Sequence, residues 1–104
     1  MKVSFDFDGV LETPQGKAIA RRKINEGDQV YIITARQEST MSRSVYEVAK
    51  ELGIPRLHIY FTNGKDKWNT IKRLNIDVHY DNNEEQIQKI KDNTTTRAEL
   101  VSYE

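Results

Sequence analysis

The 104-residue sequence contains no cysteine, and its 16 basic residues are balanced by 16 acidic ones. The lack of cysteine excludes disulfide bonds, thiolate zinc sites and thiol catalysis. A net charge of zero gives no overall attraction to nucleic acid or membranes. Net charge does not exclude a local basic patch, so a nucleic-acid partner is not excluded either. No apolar run approaches the roughly 18 residues of a membrane span, and no charged-then-apolar leader opens the chain. These absences predict a soluble protein without a membrane partner, with the cytoplasm as its default location.

The remaining composition is that of one folded domain over residues 1–104. Hydrophobic residues make up 37% of the chain, and apolar positions recur with strand and helix spacing, which argues against disorder. Strands are predicted over 2–7, 30–33, 57–61, 76–80 and 98–103, with helices over 14–26, 41–52, 67–74 and 84–90. Thr13, Asp66 and Asn83 are the expected helix caps. Because strands alternate with helices through short links, the pattern predicts an α/β fold with a parallel sheet.

Two carboxylates, Asp6 and Asp8, stand at the end of the first predicted strand and are followed at once by Gly9. A carboxylate is costly to remove from water unless something pairs with it. The carboxyl end of a parallel strand is also where ligands bind in such sheets. In an extended strand the two side chains point to the same side, and Gly9 permits a sharp exit. The pattern predicts a hard divalent cation beside a nucleophilic carboxylate.

Polar groups suited to phosphate chemistry also follow the next three strands. Thr34 ends the second strand, Gly64-Lys65-Asp66-Lys67 follows the third, and Asp81 ends the fourth, with Asn82 behind it. In a parallel sheet these strand ends lie along one edge, so the side chains should converge. Mg²⁺ prefers oxygen ligands and keeps several waters, so two or three carboxylate contacts are enough. A hydroxyl and an ammonium group beside the ion would bind the remaining phosphoryl oxygens.

The ordered set Asp6-Phe7-Asp8-Gly9-Val10, Thr34, a lysine at 65 or 67 and Asp81 resembles the four motifs of the haloacid dehalogenase-like (HAD) superfamily. The resemblance implies a three-layer HAD Rossmannoid with sheet order 5-4-1-2-3, and a magnesium-dependent phosphohydrolase as its commonest chemistry. Residues 9–33 leave room for one helix only, so no cap domain is expected. In the family, capless members often act on phosphorylated macromolecules such as nucleic-acid ends, or use a partner subunit as a lid. The sequence therefore does not decide between a monomer and an oligomer.

The resemblance also implies roles for individual residues. Asp6 would attack phosphorus to form an aspartyl-phosphate, and Asp8 would first protonate the leaving oxygen and then activate water. Thr34 would bind a phosphoryl oxygen. Lys67 is preferred over Lys65 as the charge-neutralising lysine, because in the family this lysine usually starts the helix before the fourth strand.

The remaining site residues concern substrate and metal binding. Expected substrate contacts come from Thr34, Ala35, Arg36 and Lys65, and expected metal ligands from Asp6, Asp8, Asp81 and Asn82. In the family the residue at the Asp8 position binds the metal through its main-chain carbonyl. Arg36 could instead pair with a nearby acid, and the sequence does not decide between the two. Asn82 occupies a position where the family commonly has a second acid, so the site has one negative charge fewer than usual.

Two other function classes compete with a phosphatase. A catalytically weak or inactive HAD-like binding module is suggested by the short length and by Asn82. A phospho-accepting receiver domain is set aside, because its phosphorylated aspartate ends the third strand and here that strand leads into Phe61-Thr62-Asn63. His58 and His79 are expected to be packed, hydrogen-bonded strand residues, and Trp68 is expected to be a core residue.

Overall fold

The computed structural model describes residues 1–101, in which strands and helices alternate. The strands are β1 (Lys2–Phe5), β2 (Gln29–Thr34), β3 (Ile59–Phe61), β4 (Val78–Asp81) and β5 (Arg97–Leu100), and the helices are α1 (Pro14–Asn25), α2 (Glu38–Met41), α3 (Arg43–Leu52), α4 (Trp68–Arg73) and α5 (Glu84–Asn93). All strand pairs are parallel, in the order β3-β2-β1-β4-β5. This is the predicted order read from the opposite edge. The α/β class and the parallel sheet are confirmed. No helix in the described part is long and apolar enough to cross a membrane.

The two faces of the sheet bury different side chains, because successive strand residues point to opposite sides. One face carries Val3 and Phe5 of β1 in a cluster with residues of α1 and α3. On the other face, Ile33 of β2 packs with Ile71 of α4 and Ile90 of α5. Helices therefore cover both faces, and this second face is the one on which β1 and β4 also carry polar residues.

The first strand is shorter than predicted, since β1 ends at Phe5 rather than at residue 7. A loose turn over Phe7–Leu11 follows, in which the main-chain N–H of Glu12 donates to the carbonyl of Phe7 at 3.3 Å. Gly9 lies in this turn with φ 73°, a left-handed conformation that favours glycine. Asp8 is thus a turn residue, and strand alternation does not set the direction of its side chain.

Helix α1 begins at Pro14 as predicted, with the Thr13 hydroxyl accepting from the main-chain N–H of Gly16 at 3.1 Å. Packing requires a glycine at position 16, in addition to the role of its N–H group in the cap. A Cβ atom added there would lie only 1.9 Å from the carbonyl oxygen of Val10. The absence of a side chain at this position therefore lets α1 pack directly on the turn that carries Asp8.

Several element boundaries differ from the prediction. The single helix expected over 41–52 is two helices that meet at Ser42, and Met41 is exposed rather than on the apolar face. Asp66 does not cap α4, which begins at Trp68; its carboxylate instead accepts from Gln86 and Lys89. Strand β3 is preceded by a helical turn over Arg56–His58.

Strands β4 and β5 are also shifted. Strand β4 begins at Val78 rather than at residue 76 and ends at Asp81. Strand β5 covers Arg97–Leu100 and so ends before Val101; residues 102 and 103 of the predicted strand lie outside the described residues. The cap of α5 is confirmed, since the Asn83 side chain accepts from the N–H groups of Glu85 and Gln86 at 2.9 and 3.2 Å.

The three residues expected to be packed inside are all at least half-buried. His79 is fully buried and hydrogen-bonded through both ring nitrogens. His58 is half-buried, and its Nδ1 lies 3.0 Å from the carbonyl oxygen of Val30. Trp68 is half-buried against the second core cluster.

Candidate active site

The carboxyl ends of β1, β2 and β4 and the loop before α4 surround an open cleft of about 500 Å³. The lining residues are Asp6, Asp8, Gly9, Ala35, Gly64, Lys65, Lys67, Asp81, Asn82, Asn83 and Gln86. Seven of the nine predicted site residues are therefore brought together at one edge of the sheet. Thr34 and Arg36 are absent from this lining.

A buried ion cluster lies at the centre of the cleft. The Lys67 ammonium Nζ donates to Asp6 Oδ1 at 2.7 Å and to Asp81 Oδ2 at 2.9 Å. The exposed fractions of the three side chains are 5%, 8% and 0%. Lys65, in contrast, is exposed and has no carboxylate partner among the described residues. The geometry therefore favours Lys67 over Lys65 as the lysine of the site.

Lys67 reaches this position because the chain turns tightly after β3. The main-chain N–H of Lys65 donates to the carbonyl of Thr62, around a turn whose central residues, Asn63 and Gly64, both have positive φ. The N–H of Gly64 donates to the carbonyl of Ala35 at 2.7 Å, which ties this turn to the end of β2.

The two carboxylates of the cluster differ in how well they are stabilised. Burial raises the pKa of Asp6 to about 6 despite the nearby Lys67, and the charge of Asp81 adds to the increase. Burial acts in the same direction on Asp81, but the hydrogen bond from His79 and the charge of Lys67 outweigh it and lower the pKa of Asp81 below its usual range. The charged form is thus favoured at Asp81, whereas burial disfavours the charged form of Asp6.

Sequence reasoning missed the two residues that support Asp81 from behind. His79 Nε2 lies 2.9 Å from Asp81 Oδ2, and His79 Nδ1 lies 2.6 Å from Ser4 Oγ. The sequence did contain a pattern that points to them. His79 and Asp81 are two residues apart in β4, and Ser4 and Asp6 are two residues apart at the end of the neighbouring strand β1. Since Ser4 is opposite His79 in the sheet register, these polar positions form one stripe on the second face.

Asp8 and Arg36 form an ion pair at the mouth of the cleft. Arg36 donates from Nη2 to Asp8 Oδ1 at 2.7 Å and from Nε to both carboxylate oxygens at 3.1 Å. Its Nη1 donates to the carbonyl of Met41 and to Ser44 Oγ, both at 3.1 Å, and its guanidinium lies 4.8 Å from the centre of the Phe7 ring. Of the two roles left open for Arg36, the structure shows the pairing with an acid.

Thr34 and Ala35 differ in their access to the cleft. The Thr34 side chain is fully buried, and its hydroxyl oxygen accepts from the main-chain N–H of Arg36 at 3.3 Å. Ala35 is exposed and lines the cleft. A contact of Thr34 with a phosphoryl oxygen therefore remains a prediction.

Asn82 lies at the front of the site, over the turn that follows β1. A Cβ atom added at Gly9 would come within 2.2 Å of the Asn82 amide nitrogen, so the glycine makes room for this side chain. The Asn82 amide thus lies beside Asp6 and Asp81 on the same cleft.

These residues suit a magnesium ion that is bound through few carboxylates. Within residues 1–101 no three His, Cys, Asp or Glu side chains form a group that could hold a metal ion. The Asp8 carboxylate is paired with Arg36. Mg²⁺ is commonly bound through one or two carboxylates with waters and substrate phosphate completing the shell. Asp6 and Asp81 supply that number, and two buried carboxylates against one ammonium leave a negative charge for a cation to balance.

Comparison with known proteins gives little to narrow the function. No protein-family model matches the chain. The chain is 28% identical over 132 aligned positions to an uncharacterized protein of Acanthamoeba polyphaga mimivirus. The match covers 94% of this chain but 26% of the viral protein, so the chain spans about a quarter of the length of that relative.

Proposed function

We propose that this protein is a capless HAD-type phosphatase that hydrolyses phosphomonoesters with Mg²⁺ as its cofactor. The observation that carries the proposal is the buried Asp6–Lys67–Asp81 cluster at the carboxyl end of the central strand. A nucleophilic carboxylate, an ammonium group and a second carboxylate are the parts that phosphoryl transfer by positioning and electrostatics requires. The strand order and the order of the motifs along the chain support the same assignment.

In the first half of the reaction, an Asp6 carboxylate oxygen attacks phosphorus, the bond from phosphorus to the ester oxygen breaks, and an aspartyl-phosphate forms. Asp8, in its protonated form, gives its proton to the departing oxygen. In the second half, Asp8 takes a proton from water, whose oxygen attacks phosphorus and releases inorganic phosphate and the Asp6 carboxylate. Lys67 offsets negative charge on Asp6 throughout.

Mg²⁺ would be bound by Asp6, Asp81, the Asn82 amide oxygen and the main-chain carbonyl of Asp8, and would supply positive charge to the phosphoryl oxygens.

Asp8 must leave Arg36 before it donates a proton. The Asp8 side chain is 52% exposed, and Arg36 is its only hydrogen-bond partner among the described residues. Arg36 is 17% exposed and is fixed by further bonds to Met41 and Ser44. Asp8 is therefore the mobile partner of the pair, and Arg36 is a fixed position from which Asp8 turns toward the substrate.

The shape of the site supports a phosphorylated substrate that extends beyond the phosphate. A second open cleft of about 450 Å³ shares Asp8, Ala35 and Gly64 with the first. Because Asp8 would protonate the leaving oxygen, the leaving group would lie on this side. Nucleotides, nucleic-acid ends and other phosphorylated macromolecules all suit such an open site, and a partner subunit could cover it.

A binding module with weak or no catalysis is the second candidate. It is favoured by the neutral Asn82 and by the engagement of Asp8 with Arg36. Both features reduce the carboxylates available to a metal ion and to proton transfer. The two candidates differ in whether the protein turns over a phosphate ester.

Turnover of p-nitrophenyl phosphate, with and without Mg²⁺, tests the proposal. The wild-type protein should release p-nitrophenol only with Mg²⁺, Asp6→Asn should abolish release, and Asp92→Asn, an exposed aspartate outside the cleft, should leave it unchanged. Magnesium binding without turnover of this ester or of a panel of nucleotides and phosphorylated oligonucleotides would favour the binding module. Turnover that survives Asp6→Asn would refute the aspartyl-phosphate mechanism.

A further inference from the structure

Four hydrogen bonds link five side chains in an unbroken line behind the cleft. Ser4 Oγ lies 2.6 Å from His79 Nδ1, His79 Nε2 lies 2.9 Å from Asp81 Oδ2, and Lys67 joins Asp81 to Asp6 at 2.9 and 2.7 Å. Ser4 and His79 are fully buried. Neither lines the cleft, so the reaction described above gives them no direct contact with substrate.

The direction of one of these hydrogen bonds follows from the chemistry of its partners. The Asp81 carboxylate can only accept, so His79 Nε2 carries a proton and donates to it. His79 Nδ1 and the Ser4 hydroxyl share the other hydrogen bond. Ser4 is not the nucleophile of a serine–histidine–aspartate triad, because its hydroxyl is fully buried and lies outside the lining of the cleft.

The Asp81 carboxylate is fixed from both sides by these contacts. His79 and Lys67 bind Oδ2, and the main-chain N–H of Asn83 donates to Oδ1 at 3.1 Å. Lys67 also binds Asp6, so any displacement of Asp81 would draw the ammonium group away from Asp6. The position of the nucleophile therefore depends on the side chains behind it.

We propose that Ser4 and His79 are positioning residues, which orient Asp81 for the magnesium ion and Lys67 for Asp6. This role rests on the proposed phosphatase function. Groups that hydrogen-bond to metal-ligating side chains from behind typically contribute 10- to 100-fold to metal affinity or activity. The proposal assigns that contribution to a fully buried serine–histidine pair between two central strands.

The test measures magnesium affinity of the whole protein by titration calorimetry. His79→Leu should weaken magnesium binding by about 10- to 100-fold. His79→Gln, whose amide can still donate toward Asp81, should recover most of the loss, and Ser4→Ala should give a smaller loss. Thr96→Val is the matched control, because it removes a buried hydroxyl that donates to the carbonyl of Ile76 outside the site. It should lower stability without changing magnesium affinity.

Each outcome separates this role from the proposed function. Wild-type binding with unchanged affinity in folded His79→Leu and Ser4→Ala would overturn the role of the pair and leave the phosphatase intact. Absence of magnesium binding in the wild-type protein would overturn the metal site and the positioning role together. If His79→Leu does not fold, Ser4→Ala against Thr96→Val decides the question. Nitrogen chemical shifts that show His79 Nε2 without a proton would also overturn its hydrogen bond to Asp81.

Discussion

Replacing the candidate nucleophile by its neutral isostere should make the metal-free protein more stable. In Asp6→Asn the buried carboxylate becomes an amide of nearly the same shape, and Lys67 keeps its bond to Asp81. The wild-type carboxylate is disfavoured in the folded state by burial and by the charge of Asp81. The substitution removes that cost, and the amide can still accept a hydrogen bond from Lys67.

The size and sign of the effect follow from the pKa of Asp6. It is about 6 in the folded protein against an ordinary value of 3.8, so the folded state binds the proton more tightly. The contribution of Asp6 to stability is therefore fully present below about pH 4 and is lost as pH rises through 6. Such a difference corresponds to at most about 3 kcal/mol, a figure that already includes the attraction of Asp6 to Lys67, so the expected net gain is about 1–3 kcal/mol.

Urea unfolding of both proteins without metal, between about pH 4 and pH 8, measures this directly. Asp6→Asn should exceed the wild type in free energy of unfolding at pH 8, and the difference should shrink toward pH 4. Glu47→Gln, at an exposed acid on α3, should show no such trend. Added Mg²⁺ should stabilise the wild type more than Asp6→Asn. A variant that is less stable at pH 8, or a difference independent of pH, would refute the reasoning.

Three further substitutions test packing, the choice of lysine and the charge of the metal site. Gly16→Ala should lower the free energy of unfolding by about 1–3 kcal/mol, although alanine has the better helix propensity. Gln15→Ala, in the same helix turn, should not lower it, and urea unfolding of both variants measures the difference. Lys67→Met should lower the free energy of unfolding by about 3–5 kcal/mol at neutral pH, because it removes the ammonium group that the two buried carboxylates share. A similar loss in Lys65→Met would contradict the choice of Lys67. Asn82→Asp should tighten magnesium binding by about tenfold in calorimetry, since an added charge near a surface site contributes about 1–4 kcal/mol. An unchanged magnesium affinity would place Asn82 outside the metal shell.

The sequence was sufficient to predict the gathering of Asp6, Lys67 and Asp81. Strand–helix alternation implies a parallel sheet, and a parallel sheet brings the carboxyl ends of its strands to one edge. This inference needs only the rough position of each strand. It therefore survived errors of two residues at the end of β1 and the start of β4.

The contacts between side chains could not be predicted in the same way. The Ser4–His79 bond depends on the register of β1 against β4, which are far apart in the chain and have no turn to fix their alignment. The Asp8–Arg36 pair depends on the turn at Gly9, which removes Asp8 from the strand alternation that sequence patterning assumes. Side-chain partners at the ends of strands are thus decided by local backbone geometry that periodicity does not report.

The charges of the site explain why its stability and its proposed function oppose each other. Asp6 and Asp81 are buried with one ammonium group between them, burial lowers the pKa of the neighbouring His79, and Asn82 adds no charge. Burial, together with the charge of Asp81, raises the pKa of Asp6 and costs folding free energy in the absence of a cation. A bound divalent cation would offset that cost, and it would also keep Asp6 ionised for attack on phosphorus. A cluster balanced without metal would be more stable, but it would bind Mg²⁺ less well.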